Sequence, residues 1–150
     1  MYPDQKRVRS ILQSIKVKQV MTSPVVTLQD TDRFDLVSDK FALYGIRHLP
    51  VVNEIGAVVG LITQRSMYKI HSPRRLDDGT WYYDKEALNQ FILKNVMLPN
   101  PFTLTQDNTL QEAIEALIRF KFGCIIIIDE LRKPCGLLTP VDVLKFLSTE

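Results

Sequence analysis

Gly136-Leu137-Leu138-Thr139-Pro140-Val141-Asp142 decides the fold, because the chain writes almost the same stretch twice. Gly136, Leu137 and Leu138 read as the end of a buried strand. Thr139 stands where a helix N-cap belongs, and Pro140 fits the first helical position, where its missing N–H costs nothing. Asp142 then falls beside the unpaired N–H groups of the first turn. A strand running into an open helix N-terminus suits an anion, and a carboxylate there accepts hydrogen bonds from a sugar diol. That pairing suits a nucleotide, with phosphate at the helix end and ribose on the Asp. The same residues also read as a plain helix cap contributing about 1 kcal/mol.

Working back from this stretch, the first half of the chain returns 76 positions later, as from Thr63 to Thr139. Lys18, Val20 and Met21 return as Lys94, Val96 and Met97; Thr27-Leu28 returns as Thr103-Leu104; Gly60-Leu61 returns as Gly136-Leu137. Ile125-Ile126-Ile127-Ile128 matches Leu49 to Val52, and its continuous apolar run predicts a strand buried on both faces. The repeats predict an α/β (α+β) fold of two β-α-β-β-α units. Each unit is about 55–60 residues, where a lone core is marginal. The two are therefore expected to pack by a pseudo-two-fold axis, small mixed sheets flanked by helices, with two related clefts between them. The boundaries are residues 1–72 for the first repeat with its lead-in helix, 73–83 for a linker, and 84–150 for the second repeat with its own lead-in.

In order along the chain, Pro3 to Ile15 reads as an amphipathic helix with Val8, Ile11, Leu12 and Ile15 on one face. Val25 to Leu28 reads as a strand. A helix from about Arg33 to Tyr44 carries Phe34, Val37, Phe41 and Tyr44, and Gly45 ends it. Strands follow at 48–52 and 57–62, and Thr63 caps a helix from about Gln64 to Ile70. Residues 71–83, which include the linker, are turn-rich and charged and close on Trp81-Tyr82-Tyr83. Those three aromatics read as lobe packing, a partner surface or a contact to a ligand base. Asp84 caps a short helix with Leu88 and Phe91 on its apolar face. Thr109-Leu110-Gln111-Glu112 is a capping box.

Composition bounds the function. The chain has 150 residues, 45% hydrophobic and 24% charged, with a formal net charge of +2. That charge is too small to argue for nucleic acid. No apolar run approaches the roughly 20 residues of a membrane span, and the N-terminus does not read as a signal peptide. Cys124 and Cys135 read as buried free thiols. With the two histidines they match no metal-ligand spacing. The expectation is a cytoplasmic protein without a metal, a nucleic-acid partner or a membrane partner.

On these motifs the chain resembles a tandem pair of CBS domains, or Bateman module. The resemblance rests on Val20-Met21-Thr22 and Val96-Met97; on Gly45-Ile46-Arg47-His48-Leu49-Pro50-Val51-Val52; and on Gly60-Leu61-Ile62-Thr63 with Gly136 to Asp142. It covers nearly the whole chain and is similar to small, stand-alone bacterial CBS-pair proteins. It implies an adenosine-type ligand in the clefts between repeats: AMP, ADP, ATP or S-adenosylmethionine. By resemblance, Thr139 faces the phosphate or ribose, and Asp142 holds the ribose hydroxyls. Thr22, Val26, Ile46 and Leu137 line the base pocket. Ser66 stands where the first repeat's Asp belongs, and a hydroxyl lacks the two-acceptor, charge-assisted grip of a carboxylate. Arg47, His48 and Arg65 of the first repeat are the expected phosphate contacts, matched in the second by Gly123, Cys124 and Val141.

The function expected is a regulatory sensor of an adenine nucleotide, acting on an unidentified regulated protein. The alternative is a ligand-free dimerisation or interaction module with a degenerate nucleotide site. The family commonly forms dimers through helix faces, for which Phe34, Phe41 and Tyr44 with Leu117 and Phe120 are the candidates here. Catalysis is not expected: there is no nucleophile elbow, P-loop or HExxH.

Overall fold

A computed structural model of the chain describes residues 3–70, 74–82 and 84–149. The chain forms two compact units, one of Val26–Pro101 and one joining the stretch through Val25 to the stretch from Phe102 onward. These units cut the chain by contact, where the repeats cut it by sequence. Each unit holds the sheet of one repeat and the lead-in of the other.

In the central unit, β1 (Leu28–Gln29) pairs parallel with β2 (His48–Val52). Between them runs α2 (Phe34–Tyr44), which Gly45 ends in the left-handed region at φ 61°. β2 pairs antiparallel with β3 (Val58–Thr63), which runs directly into α3 (Gln64–Ile70). The lead-in of the second repeat completes this unit. It consists of α4 (Lys85–Leu88), α5 (Leu93–Val96) and the edge strand β6 (Leu98–Pro99), where Leu98 pairs with Leu61. The core gathers Leu28, Phe34, Phe41, Leu49, Ile62 and Met67 with Leu88 and Leu93 of that lead-in.

The other unit repeats the plan. α1 (Pro3–Ser14) packs on α6 (Leu110–Phe120), which Thr109 and Glu112 start as a capping box. β7 (Thr103–Thr105) pairs parallel with β8 (Ile125–Ile128), and β8 pairs antiparallel with β9 (Pro134–Leu138) ahead of α7 (Pro140–Ser148). All four isoleucines of β8 are buried. Here the first repeat's lead-in supplies the edge. A 3-10 turn at Val17–Gln19 buries Val17 and Val20 in the core, and Thr22 pairs with Leu137 as Leu98 does with Leu61. Two close approaches fix this docking. A Cβ at Gly136 would stand 2.2 Å from the Met21 sulfur, and one at Gly60 would stand 2.3 Å from that of Met97. The Met at each lead-in and the Gly in each sheet are therefore one feature.

Several local expectations are corrected. The strand over Val25–Leu28 begins only at Leu28, and Val26 lies outside it. The expected linker contains a hairpin, β4 (Arg74–Arg75) against β5 (Trp81–Tyr82), because Asp78 and Gly79 (φ 91°) form a tight turn. His71 to Pro73 and Tyr83 lie outside the described residues. Helix α4 stops at Leu88, and Phe91 is exposed, edge-on to Phe34. On the apolar face of α1, Val8 and Ile11 are each 52% exposed. Phe34 and Phe41 are core residues and offer no dimer face, whereas Tyr44 and Phe120 are exposed. Cys124 is buried and Cys135 half-buried, both as free thiols.

Candidate functional site

β9 delivers the chain to Thr139 in extended conformation, and Pro140 opens α7. The Thr139 hydroxyl oxygen accepts the Asp142 N–H at 3.2 Å. Asp142 Oδ2 in return accepts the Thr139 N–H at 2.8 Å and its hydroxyl at 2.9 Å. The second carboxylate oxygen, Oδ1, accepts the hydroxyl of Thr22 at 2.8 Å. Thr22 is held there by two backbone bonds with Leu137, of 2.8 and 2.9 Å. Four of the expected site residues, Thr22, Leu137, Thr139 and Asp142, thus form one constellation. The carboxylate is half-buried, and the Thr22 donor on Oδ1 is exposed to solvent. Nearby, burial and then the Asp142 charge push the Cys124 thiol up to about 12. It is neutral at physiological pH and adds no competing charge.

The first repeat's counterpart has the same cap without the carboxylate. The Thr63 hydroxyl oxygen accepts the Ser66 N–H at 3.0 Å, and the two hydroxyls lie 2.8 Å apart. The Arg47 carbonyl accepts the Gln64 N–H at 2.9 Å, which places Arg47 and Arg65 at the start of α3. Both are exposed, and neither has a carboxylate partner among the described residues. His48 stands opposite Thr63 in the sheet. Burial, and then the Arg47 guanidinium, hold its imidazole below the ordinary 6.5. Of the expected basic trio, only the two arginines are charged at neutral pH. Val26 and Ile46 pack half-buried on the core of the central unit.

Sequence reasoning missed the direct bond from Thr22 to Asp142 and assigned Thr22 to the base pocket. The bond spans 120 positions, and no local pattern announces it. The one available signal is the shared 76-residue offset, which aligns Thr22 with Leu98 in the strand edge. Among the described residues, no group of His, Cys, Asp and Glu gathers as a metal site. No described helix is long and apolar enough to cross a membrane.

Comparison with known proteins adds three findings. A family model, the CBS domain, matches residues 17–71 and 93–149. The chain is 25% identical over 137 residues to a homoserine O-acetyltransferase of Methanococcoides burtonii, covering 91% of this chain and 25% of that protein. Across four such curated relatives it spans 22% to 51% of their length. Among solved structures, the CBS domain of a bacterial CNNM/CorC-family Mg²⁺ transporter in complex with ATP matches at TM-score 0.73 and 20% identity, over 96% of each chain. A CBS domain pair in complex with 5'-methylthioadenosine and S-adenosyl-L-methionine matches at TM-score 0.71 and 20% identity, over 88% of this chain and 94% of that one. At such identity the likeness is one of fold.

Proposed function

The chain belongs to the CBS-domain family, as two copies in tandem, and from that premise we propose that it is a regulatory module sensing an adenine nucleotide of the AMP, ADP or ATP type. A CBS domain solved with ATP and a CBS domain pair solved with S-adenosyl-L-methionine and 5'-methylthioadenosine support the ligand class. The observation that carries the reading is the Asp142 carboxylate. Three donors fix it at the start of α7, and one of them, the Thr22 hydroxyl, is an exposed group on an exposed segment. A ribose diol offers the same donor chemistry and replaces that hydroxyl on Oδ1 without disturbing the cap on Oδ2. The helix N-terminus beside it favours negative charge. Arg47 and Arg65, charged and without carboxylate partners among the described residues, are the proposed phosphate contacts.

Binding shifts the conformational equilibrium of such a module only by its difference in affinity for the two states. The test is thermal unfolding against adenosine, AMP, ADP, ATP and S-adenosylmethionine, with GTP as control. A ligand at about 100 times its Kd stabilises by about 2.7 kcal/mol, several degrees at this chain length. The expected result is a shift with the phosphorylated adenosines that disappears in Asp142→Ala. Arg47→Ala and Arg65→Ala are expected to reduce the ATP shift and leave that of adenosine intact. A shift with S-adenosylmethionine and none with ATP would contradict the role given to the arginines.

One observation favours the alternative, a ligand-free interaction module. Both carboxylate oxygens of Asp142 accept protein donors, so the carboxylate also works as a cap alone. A sedimentation mass corresponding to a dimer, with a thermal midpoint indifferent to every nucleotide, would establish that reading instead.

A further inference from the structure

A concavity of about 580 Å³ lies within the central unit, and neither Thr139 nor Asp142 lines it. Its walls come from α2, α3, the β5 end of the hairpin and the start of α4. Phe41, Tyr68, Trp81 and Tyr82 supply rings, and Asp39 and Lys85 supply charge. Three of the rings are unusually open for their size: Trp81 is 63% exposed, Tyr68 46% and Tyr82 40%. Such rings in a pocket with a few polar groups are the ordinary make-up of a small-molecule site, and an aromatic guest gains from offset or edge-on ring contacts.

The hairpin holds Trp81 and Tyr82, while Tyr68 stands on α3 and Phe41 on α2. The Leu76 N–H bonds to the Thr80 carbonyl at 2.8 Å, and Thr80 N–H bonds to Asp78. The Arg75 guanidinium lies 5.6 Å from the Trp81 ring centroid, and Arg74 pairs with Asp84 at 3.7 Å. The Asp39–Lys85 ion pair, at 2.8 Å, has both side chains 55% exposed. An ion pair that open contributes little on its own, so it exchanges partners readily. A guest carrying an ammonium and a carboxylate close together satisfies both members at once, ammonium to Asp39 and carboxylate to Lys85.

We infer that this concavity is a second ligand site, for a zwitterionic aromatic molecule of amino-acid type, its ring among Trp81, Tyr82, Tyr68 and Phe41 and its two charges on Asp39 and Lys85. The site is independent of the nucleotide reading and shares no residue with it.

The chain has a single tryptophan, and it lines this concavity, so its fluorescence reports on the site directly. The probe is L-phenylalanine, titrated against the intact chain with indole-selective excitation. Phenethylamine, hydrocinnamate and L-leucine serve as probes lacking the carboxylate, the ammonium and the ring. The expected result is a saturable change with L-phenylalanine, at least about tenfold tighter than with any of the three. Asp39→Asn and Lys85→Met should each weaken it by about tenfold. Both residues are exposed, so the fold is retained, which circular dichroism checks. Asp142→Ala should leave the titration unchanged, which separates this site from the nucleotide site. No saturable change, an equal response to L-leucine, or an undiminished response in both charge variants overturns the proposal.

Discussion

Asp142 divides its two carboxylate oxygens between neighbours: Oδ2 caps α7 through Thr139, and Oδ1 accepts the hydroxyl of the distant Thr22. The proposed function gives that second oxygen to the ribose. The residue types at this site were legible because capping chemistry is local: a Thr, a Pro and an Asp within four positions state their roles without tertiary help. His48 shows where local reading stops. The resemblance implies a basic phosphate contact there, whereas burial and then the adjacent Arg47 guanidinium favour the neutral imidazole. The sign follows by linkage. The unfolded chain takes up a proton as pH falls through 6.5, before the folded chain does, so stability falls with pH from there down to the folded value. Thermal midpoints measured across that interval are expected to drop for the natural chain and to flatten in His48→Gln. An equal slope in both would contradict the burial argument. Cys124 offers a second check. A buried thiol raised to about 12 is expected to resist alkylation in the folded chain and to react on unfolding, followed by mass spectrometry of the labelled peptide.

At the scale of elements, the unit that repeats is strand, cap and helix, braced by the lead-in of the other repeat. The periodicity of α2, the capping box that opens α6 and the apolar run of β8 were legible from sequence, since each is a local pattern tied to one element. The hairpin at β4–β5 was not, because two-residue strands carry too little pattern to outweigh the surrounding turn residues. The Met21–Gly136 contact was visible only as two conserved steps of the internal repeat; that they touch is tertiary information. A Cβ at residue 136 meets the Met21 sulfur at 2.2 Å and its Cβ at 3.1 Å, so a flexible tip alone cannot relieve it. Gly136→Ala is expected to cost about 1–3 kcal/mol in denaturant unfolding. The double variant with Met21→Ala should recover part of that loss, as coupled neighbours do. Strict additivity would show that the contact does not set the docking.

At the scale of the whole molecule, each compact unit borrows its lead-in from the other repeat. This gives a physical reason for the tandem: a repeat of this length is marginal alone, and each core here is completed by residues far away in sequence. Val17 is fully buried in the core around β8, and Leu93 is 2% exposed in the core around β2. Val17→Ala is therefore expected to lower stability by about 2 kcal/mol and to speed hydrogen exchange at Ile125–Ile127 more than at Leu49–Val52. Leu93→Ala should do the reverse. The offset of 76 residues revealed the duplication in the sequence. The exchange of lead-ins was hidden, because a repeat pattern states which segments are alike and says nothing of which segments touch.

Calorimetric titration of the intact chain with ATP and AMP asks whether Asp142 holds the ribose of an adenine nucleotide. Saturable binding at one site per chain is expected, weakened about 10- to 100-fold in Asp142→Ala while the variant stays folded. Binding that changes less than about twofold in that variant, or no heat at all with the natural chain, would contradict it and leave Asp142 as a helix cap.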